Sequence, residues 1–135
     1  MQTNPTKLVY TFEFPIRWVD TDAYRHVAHT RYMDAMSETR AQWLRNVLED
    51  DALQGCLYYV AEVECRFYQA FKYPGSIQVK QYVTDVRRTH FTLQYHFHVP
   101  GEEKFRAQGR AHMVCVDPET ERPMRIPEPL LALIK

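Results

Sequence analysis

Asp20, Asp22, His26 and His29 stand within ten residues of one another in the run Arg17-Trp18-Val19-Asp20-Thr21-Asp22-Ala23-Tyr24-Arg25-His26-Val27-Ala28-His29-Thr30-Arg31-Tyr32. A carboxylate in such a run can act as a base or a nucleophile. The residues that follow have helical spacing, so the run ends at a helix N-terminus. That terminus has unbonded backbone N–H groups and the positive end of the helix dipole, and it can hold an oxyanion. A base or nucleophile beside an electrostatic hole is the minimum requirement for acyl transfer. Asp, Thr and His before a helix also serve as caps and turn formers. Composition alone leaves these two readings level.

Other chemistry-bearing residues carry weaker signals. His96 and His98, with His90 on the same face, have metal-ligand spacing on a strand, but no carboxylate partner accompanies them and a polar sheet face is expected. No Gly-x-Ser-x-Gly and no phosphate-cradling glycine loop is present, which argues against a serine hydrolase or a nucleotide enzyme. The three cysteines, Cys56, Cys65 and Cys115, are odd in number and lack CxxC spacing. They read as free thiols in a reducing compartment, so a cytoplasmic protein is expected. Cys56 has no candidate base beside it.

Charge restricts the partners. Seventeen Lys+Arg balance seventeen Asp+Glu, whereas a dedicated nucleic-acid binder shows a basic excess. An anionic ligand must therefore be gripped by a local cluster. Arg87-Arg88, at a turn between two strands, is the first candidate, with Arg122 and Arg125 behind it. Met1 to Lys7 lacks an apolar signal core, and the longest aliphatic stretch, Leu130 to Ile134, is far short of the ~20 residues that span a bilayer.

Positioning these residues requires a fold. A chain of 135 residues is one domain's worth, read here as a single domain over residues 1–135. Five segments alternate apolar and polar residues with period two. From Leu8 to Trp18 the even positions are apolar; from Leu57 to Phe67 the odd positions are apolar and oppose Glu62, Glu64 and Arg66. Ile77, Val79 and Val83 share one side of a third segment. Phe91, Leu93, Tyr95, Phe97 and Val99 oppose the histidine-bearing face of a fourth, and Phe105, Ala107, Ala111, Met113 and Cys115 form one row of a fifth. Between about Thr30 and Leu48, Tyr32, Ala35, Met36, Thr39, Trp43 and Val47 recur at helical steps, with Arg31, Asp34, Glu38 and Arg45 on the other side. A short helix is expected from Leu130. Turns fall at Pro74-Gly75 and Pro100-Gly101, and an exposed loop at Asp117 to Pro123. The order strand, helix, then four strands with short connections predicts an α+β domain: a meander whose one face the single long helix covers.

The loop itself resembles the signature of the hotdog-fold acyl-CoA thioesterases of the 4-hydroxybenzoyl-CoA thioesterase family, including relatives linked to the Tol–Pal cluster. Asp20-Thr21-Asp22, His26-Val27, Tyr32 and Glu38 stand at the family's motif positions. Tyr73-Pro74-Gly75-Ser76, Arg87-Arg88-Thr89-His90-Phe91 and Val116-Asp117 through Ile126-Pro127 are similar to its later landmarks, in order over almost the whole chain.

The resemblance implies a hotdog fold, an antiparallel five-stranded sheet wrapped around one long central helix. It implies hydrolysis of an acyl-CoA, with Asp22 as nucleophile or base and Asp20 as a structural residue. His29 would contribute its backbone N–H as the oxyanion donor and its imidazole as a positioning group. Tyr32 and Arg25 would bind substrate, Arg87-Arg88 the coenzyme A phosphates, and Glu38 is an alternative base. No metal or redox cofactor is implied, and coenzyme A enters as part of the substrate. The chain would work as a homodimer or homotetramer with the site between subunits. Three departures stand out: Arg25 replaces the family's usual Gly, Ala28 and His29 stand where it often has Asn, and Thr89 replaces its third basic residue. An acyl carrier protein thioesterase and a non-catalytic acyl-CoA-binding module are the competing readings.

Overall fold

A computed structural model describes residues 7–47 and 55–134 of the chain. The first strand, β1, is Lys7–Pro15; a 3-10 turn at Trp18–Asp20 and a polar loop lead into α1, His29–Val47. Then come β2 (Leu57–Phe67), β3 (Ser76–Val86), β4 (His90–His98), β5 (Ala107–Val116) and the terminal helix α2 (Glu128–Ile134). The five strands form one antiparallel sheet in the order β1-β3-β4-β5-β2.

The predicted helical stripe is the face that packs. Tyr32, Ala35, Met36, Thr39 and Trp43 are buried against a row of inward side chains that includes Ile77, Val79 and Val83 of β3, Phe91, Leu93, Tyr95 and Phe97 of β4, and Ala107, Ala111, Met113 and Cys115 of β5. Each large apolar side chain withdrawn from water contributes roughly 1.5–3 kcal/mol. Gly109, in the β5 row, lets the helix lie close: a β-carbon there would meet the Met36 sulfur. Ile126, Leu130 and Ile134 close the core from the tail. Leu48, at the expected end of the helix, lies outside the described residues. The second helix starts at Glu128 rather than Leu130, and Glu128-Pro129 supplies its first turn.

Several expectations are corrected. The four strands after α1 do not form one meander. Only β3-β4-β5 do; β2 lies at the far edge, paired with β5, while β1 pairs with β3. The helix carries the chain from one edge of the sheet to the other, and the β2–β3 connection returns beneath its N-terminus, where Val27 N–H donates to Phe71 O at 2.9 Å. As an edge strand with no neighbour on one side, β2 leaves much of its predicted core row exposed: Tyr59, Val63 and Phe67 are each more than 40% accessible. Strand β1 ends at Pro15, so Trp18 leaves the apolar row and is exposed on the 3-10 turn. Phe105 precedes β5 and turns to the opposite face, where it stacks on His96 with ring centroids 4.3 Å apart. Arg31, off the apolar stripe, still packs: its guanidinium lies 4.2 Å from the Phe14 ring centre.

Register fixes which ends meet. Pro15 pairs with Ser76, Gln78 with His98, and Ala107 with both Phe97 and Phe67. The end of β1, the start of β3 and the end of β2 therefore share one end of the sheet, and the loop that follows β1 sits there. Among the described residues, no helix is long and apolar enough to cross a membrane, and no cluster of three or more metal-ligating side chains occurs. His96 and His98 lie on the outer face of β4, with His96 hydrogen-bonded to Gln94 at 3.1 Å and its pKa lowered to about 4 by burial and by the nearby His98 and Lys80.

Candidate active site

The loop between β1 and α1 is built around two aspartates with opposite surroundings. Asp20 is buried. Its carboxylate accepts the Arg17 backbone N–H at 2.8 Å and the Arg17 guanidinium at 2.8 Å, and Arg31 Nε lies 3.5 Å away. Burial alone would raise its pKa, but the Arg17 hydrogen bonds and the charges of Arg31 and Arg17 outweigh it and the net shift is downward. The Asp20 carbonyl also accepts the Ala28 N–H at 2.8 Å. Both ends of the loop are thereby tied to one residue, which matches the structural role expected of Asp20.

Asp22 is exposed and carries no ion pair among the described residues. Its Oδ1 accepts the backbone N–H groups of Tyr24 at 2.9 Å and His26 at 3.3 Å. Its own N–H donates to the His26 carbonyl at 2.8 Å, and its carbonyl accepts the Arg25 N–H at 3.0 Å. These bonds orient the carboxylate without neutralising it. Arg25 takes φ +64, so the left-handed turn is kept although the residue is not Gly. An L-side chain there costs roughly 1–2 kcal/mol of strain. Arg25 is not among the residues that line the cavity described next.

A cavity of about 300 Å³ is lined by Asp22, His26, Val27, His29, Tyr32 and the segment Phe67–Ala70. His29 is the first residue of α1, so its N–H belongs to the set left without an intrahelical partner. Ala28, just before it, has no side-chain acceptor to cap those groups; its carbonyl takes the Arg31 N–H at 3.0 Å, and the His29 and Thr30 N–H groups are left for an oxyanion. No hydrogen bond joins the His29 imidazole to Asp22 among the described residues. Tyr32 forms the floor, its ring 4.8 Å from Phe67 and 5.2 Å from Phe97; burial pushes its phenol up to about 12.

The other expected site residues lie elsewhere. Glu38 is two and a half turns along α1, 3.8 Å from Arg31 Nη1, and does not line the Asp22 cavity. Arg87 and Arg88 follow β3 at the opposite end of the sheet. Eleven residues of β3 at ~3.3 Å each separate them from the loop by about 36 Å. There they join Arg125 and Glu128 around a cavity of about 440 Å³, and Arg87 Nε contacts Asp85 at 3.2 Å. Within one chain, Asp22 and these arginines do not form a single site.

Residues 16–134 match the thioesterase-like superfamily. The chain belongs to that superfamily. It is a thioester hydrolase. No curated protein matches by sequence. Solved structures share the fold: the PA2801 protein of Pseudomonas aeruginosa at TM-score 0.86 and 22% identity, covering 96% of this chain and 100% of that one. The 1,4-dihydroxy-2-naphthoyl-CoA thioesterase Slr0204 of Synechocystis aligns at TM-score 0.79 and 16% identity over 93% and 94% of the two chains. The DHNA-CoA thioesterase of Staphylococcus aureus aligns at 0.73 and 21% over 86% and 79%.

In this thioesterase the cavity wall contributed by Phe67–Ala70 escapes a reading of the sequence. It depends on the β2–β3 connection crossing under α1, and Pro74-Gly75 marks only where that connection turns. His26 was legible as a motif residue but not as a wall: its backbone brackets Asp22, and its imidazole stands between the Asp22 cavity and a second one.

Proposed function

We infer that the chain hydrolyses acyl-CoA thioesters to a free carboxylic acid and coenzyme A. The supporting observation is that Asp22, held by the Tyr24 and His26 N–H groups, shares one cavity with His29 at the uncapped start of α1. A thioester carbonyl placed there has its oxygen toward the helix N–H groups, which stabilise the developing oxyanion. Asp22 either takes a proton from the attacking water or attacks the carbonyl carbon itself, forming an anhydride that water then cleaves. Both routes break the C–S bond, and the thiolate leaves and takes up a proton. Neither route needs a metal or redox cofactor. The Asp-x-Asp loop with Tyr32 favours the 4-hydroxybenzoyl-CoA thioesterase group and its Tol–Pal-linked relatives, and a cytoplasmic location fits the three free thiols.

The working unit is a homodimer through β2, with two dimers forming the expected tetramer. An unpaired edge carrying exposed Tyr59, Val63 and Phe67 is a template for strand addition. Two-fold pairing of β2 with a second copy runs antiparallel, so the arginine end of one copy reaches the level of the Asp22 end of the other. Arg87 and Arg88 of the second copy, at the β3–β4 turn, then lie about three strand spacings, roughly 14 Å, from the seam. That placement is compatible with a grip on the coenzyme A phosphates.

Free thiol released from short-chain, long-chain and aromatic acyl-CoAs tests this reading. Asp22→Asn should lose at least ~100-fold in turnover with substrate binding retained. Equal turnover by the variant refutes the role of Asp22. Binding without release from any acyl-CoA favours a regulatory module, and release confined to acyl carrier protein thioesters moves the substrate class.

A further inference from the structure

A second cavity of about 560 Å³ adjoins the first, sharing His26, Gln69 and Ala70 with it. Its size is within the range of small-ligand sites. Its floor is apolar, made by buried Ile16 and Phe71 with Val99 beside them. Lys72 and Arg106 bring positive charge to its lining, beside His26, and no Asp or Glu lines it.

These three groups are not equivalent. The Arg106 guanidinium is engaged, donating to Glu102 at 3.1 Å and to the Ala70 carbonyl at 2.8 Å, with its plane 5.6 Å from the Phe71 ring centre. His26 and Lys72 face each other across an isolated antiparallel bridge, which puts both side chains on the same side with Cβ atoms roughly 5 Å apart. Lys72 is exposed and has no ion pair among the described residues. An apolar trough ending at an uncommitted ammonium suits an alkyl or aryl chain with an anionic end.

Direction assigns the cavity to one half of the substrate. On the reading proposed above, the thioester sits at Asp22 and coenzyme A runs toward the β2 edge and the arginines of a second copy. The second cavity opens the other way, toward β1 and β3, and receives the acyl group. We propose that it is an acyl subsite favouring chains that end in a carboxylate, with Lys72 as the specificity-determining counter-charge.

The experiment compares hexanoyl-CoA with adipyl-CoA, which have the same chain length and differ in a terminal carboxylate. Wild type should show about a tenfold higher kcat/KM for adipyl-CoA, shrinking at high salt as a partly exposed ion pair does. The adipyl-to-hexanoyl ratio should fall to about one in Lys72→Met, reverse in Lys72→Glu and persist in Lys72→Arg. If both esters are cleaved and the ratio ignores Lys72, the subsite is wrong and the thioesterase reading stands. If neither ester nor any other acyl-CoA is cleaved, the underlying reading fails and the subsite falls with it.

Discussion

Replacing Asp20 by Asn removes one negative charge from a side chain that is only 3% exposed. The partners left behind set the cost. The Arg17 backbone N–H, 2.8 Å from Oδ2, exchanges a charge-assisted hydrogen bond for a neutral one, or faces an amide N–H, at about 1–2 kcal/mol. Arg31, itself 14% exposed, keeps only Glu38 at 3.8 Å. A partly buried cation losing its main partner costs about 1 kcal/mol more, below the 3–5 kcal/mol of a fully buried pair. The exposed Arg17 guanidinium is left out of the sum. A loss of about 2–3 kcal/mol at pH 7 follows, to be read from urea midpoints at fixed protein concentration. The acid limb provides an independent check. The folded-state pKa of Asp20 is lowered, so its stabilisation is complete above the ordinary carboxylate range and is lost as pH falls through the lower folded value. The Asn variant should lack that part of the acid transition. Because Asp20 also anchors the strap that holds Asp22, thiol release should fall by about tenfold. A variant as stable as wild type at pH 7, with an unchanged acid limb, would refute the assignment of Asp20 as the loop's anchor.

Three further outcomes are expected. Gly109→Ala drives a β-carbon into the Met36 sulfur, where the helix lies over the sheet, and should destabilise by about 1–3 kcal/mol in urea unfolding; a neutral result would mean that Met36 repacks freely. Arg87→Ala with Arg88→Ala should raise KM for acyl-CoA about tenfold, with a smaller change in kcat and a weaker salt dependence, while leaving turnover of a thioester that lacks the nucleotide unaffected. Val63→Lys places a charge on the exposed face of the β2 edge; light scattering should show a smaller assembly, and thiol release should fall with it if, as proposed, the arginines come from a second copy.

Residue chemistry and local periodicity made much of this protein legible. The helical stripe from Tyr32 to Trp43 and the inward rows of β3, β4 and β5 follow from side-chain type and spacing, because those properties act over a few residues, whereas the separate roles of Asp20 and Asp22 and the turn at Arg25 entered only through the resemblance of the loop to a known signature. Strand order did not follow. Period two says that β2 is a strand but not that it pairs with β5 at the far edge, since that choice depends on where α1 delivers the chain. The same crossover brings Phe67–Lys72 under the helix N-terminus and creates both cavity walls and the facing pair His26 and Lys72. It also places Arg87 and Arg88 a sheet's length from Asp22. A sequence can name both ends of such a site, but the register of β3 decides that one chain does not bring them together.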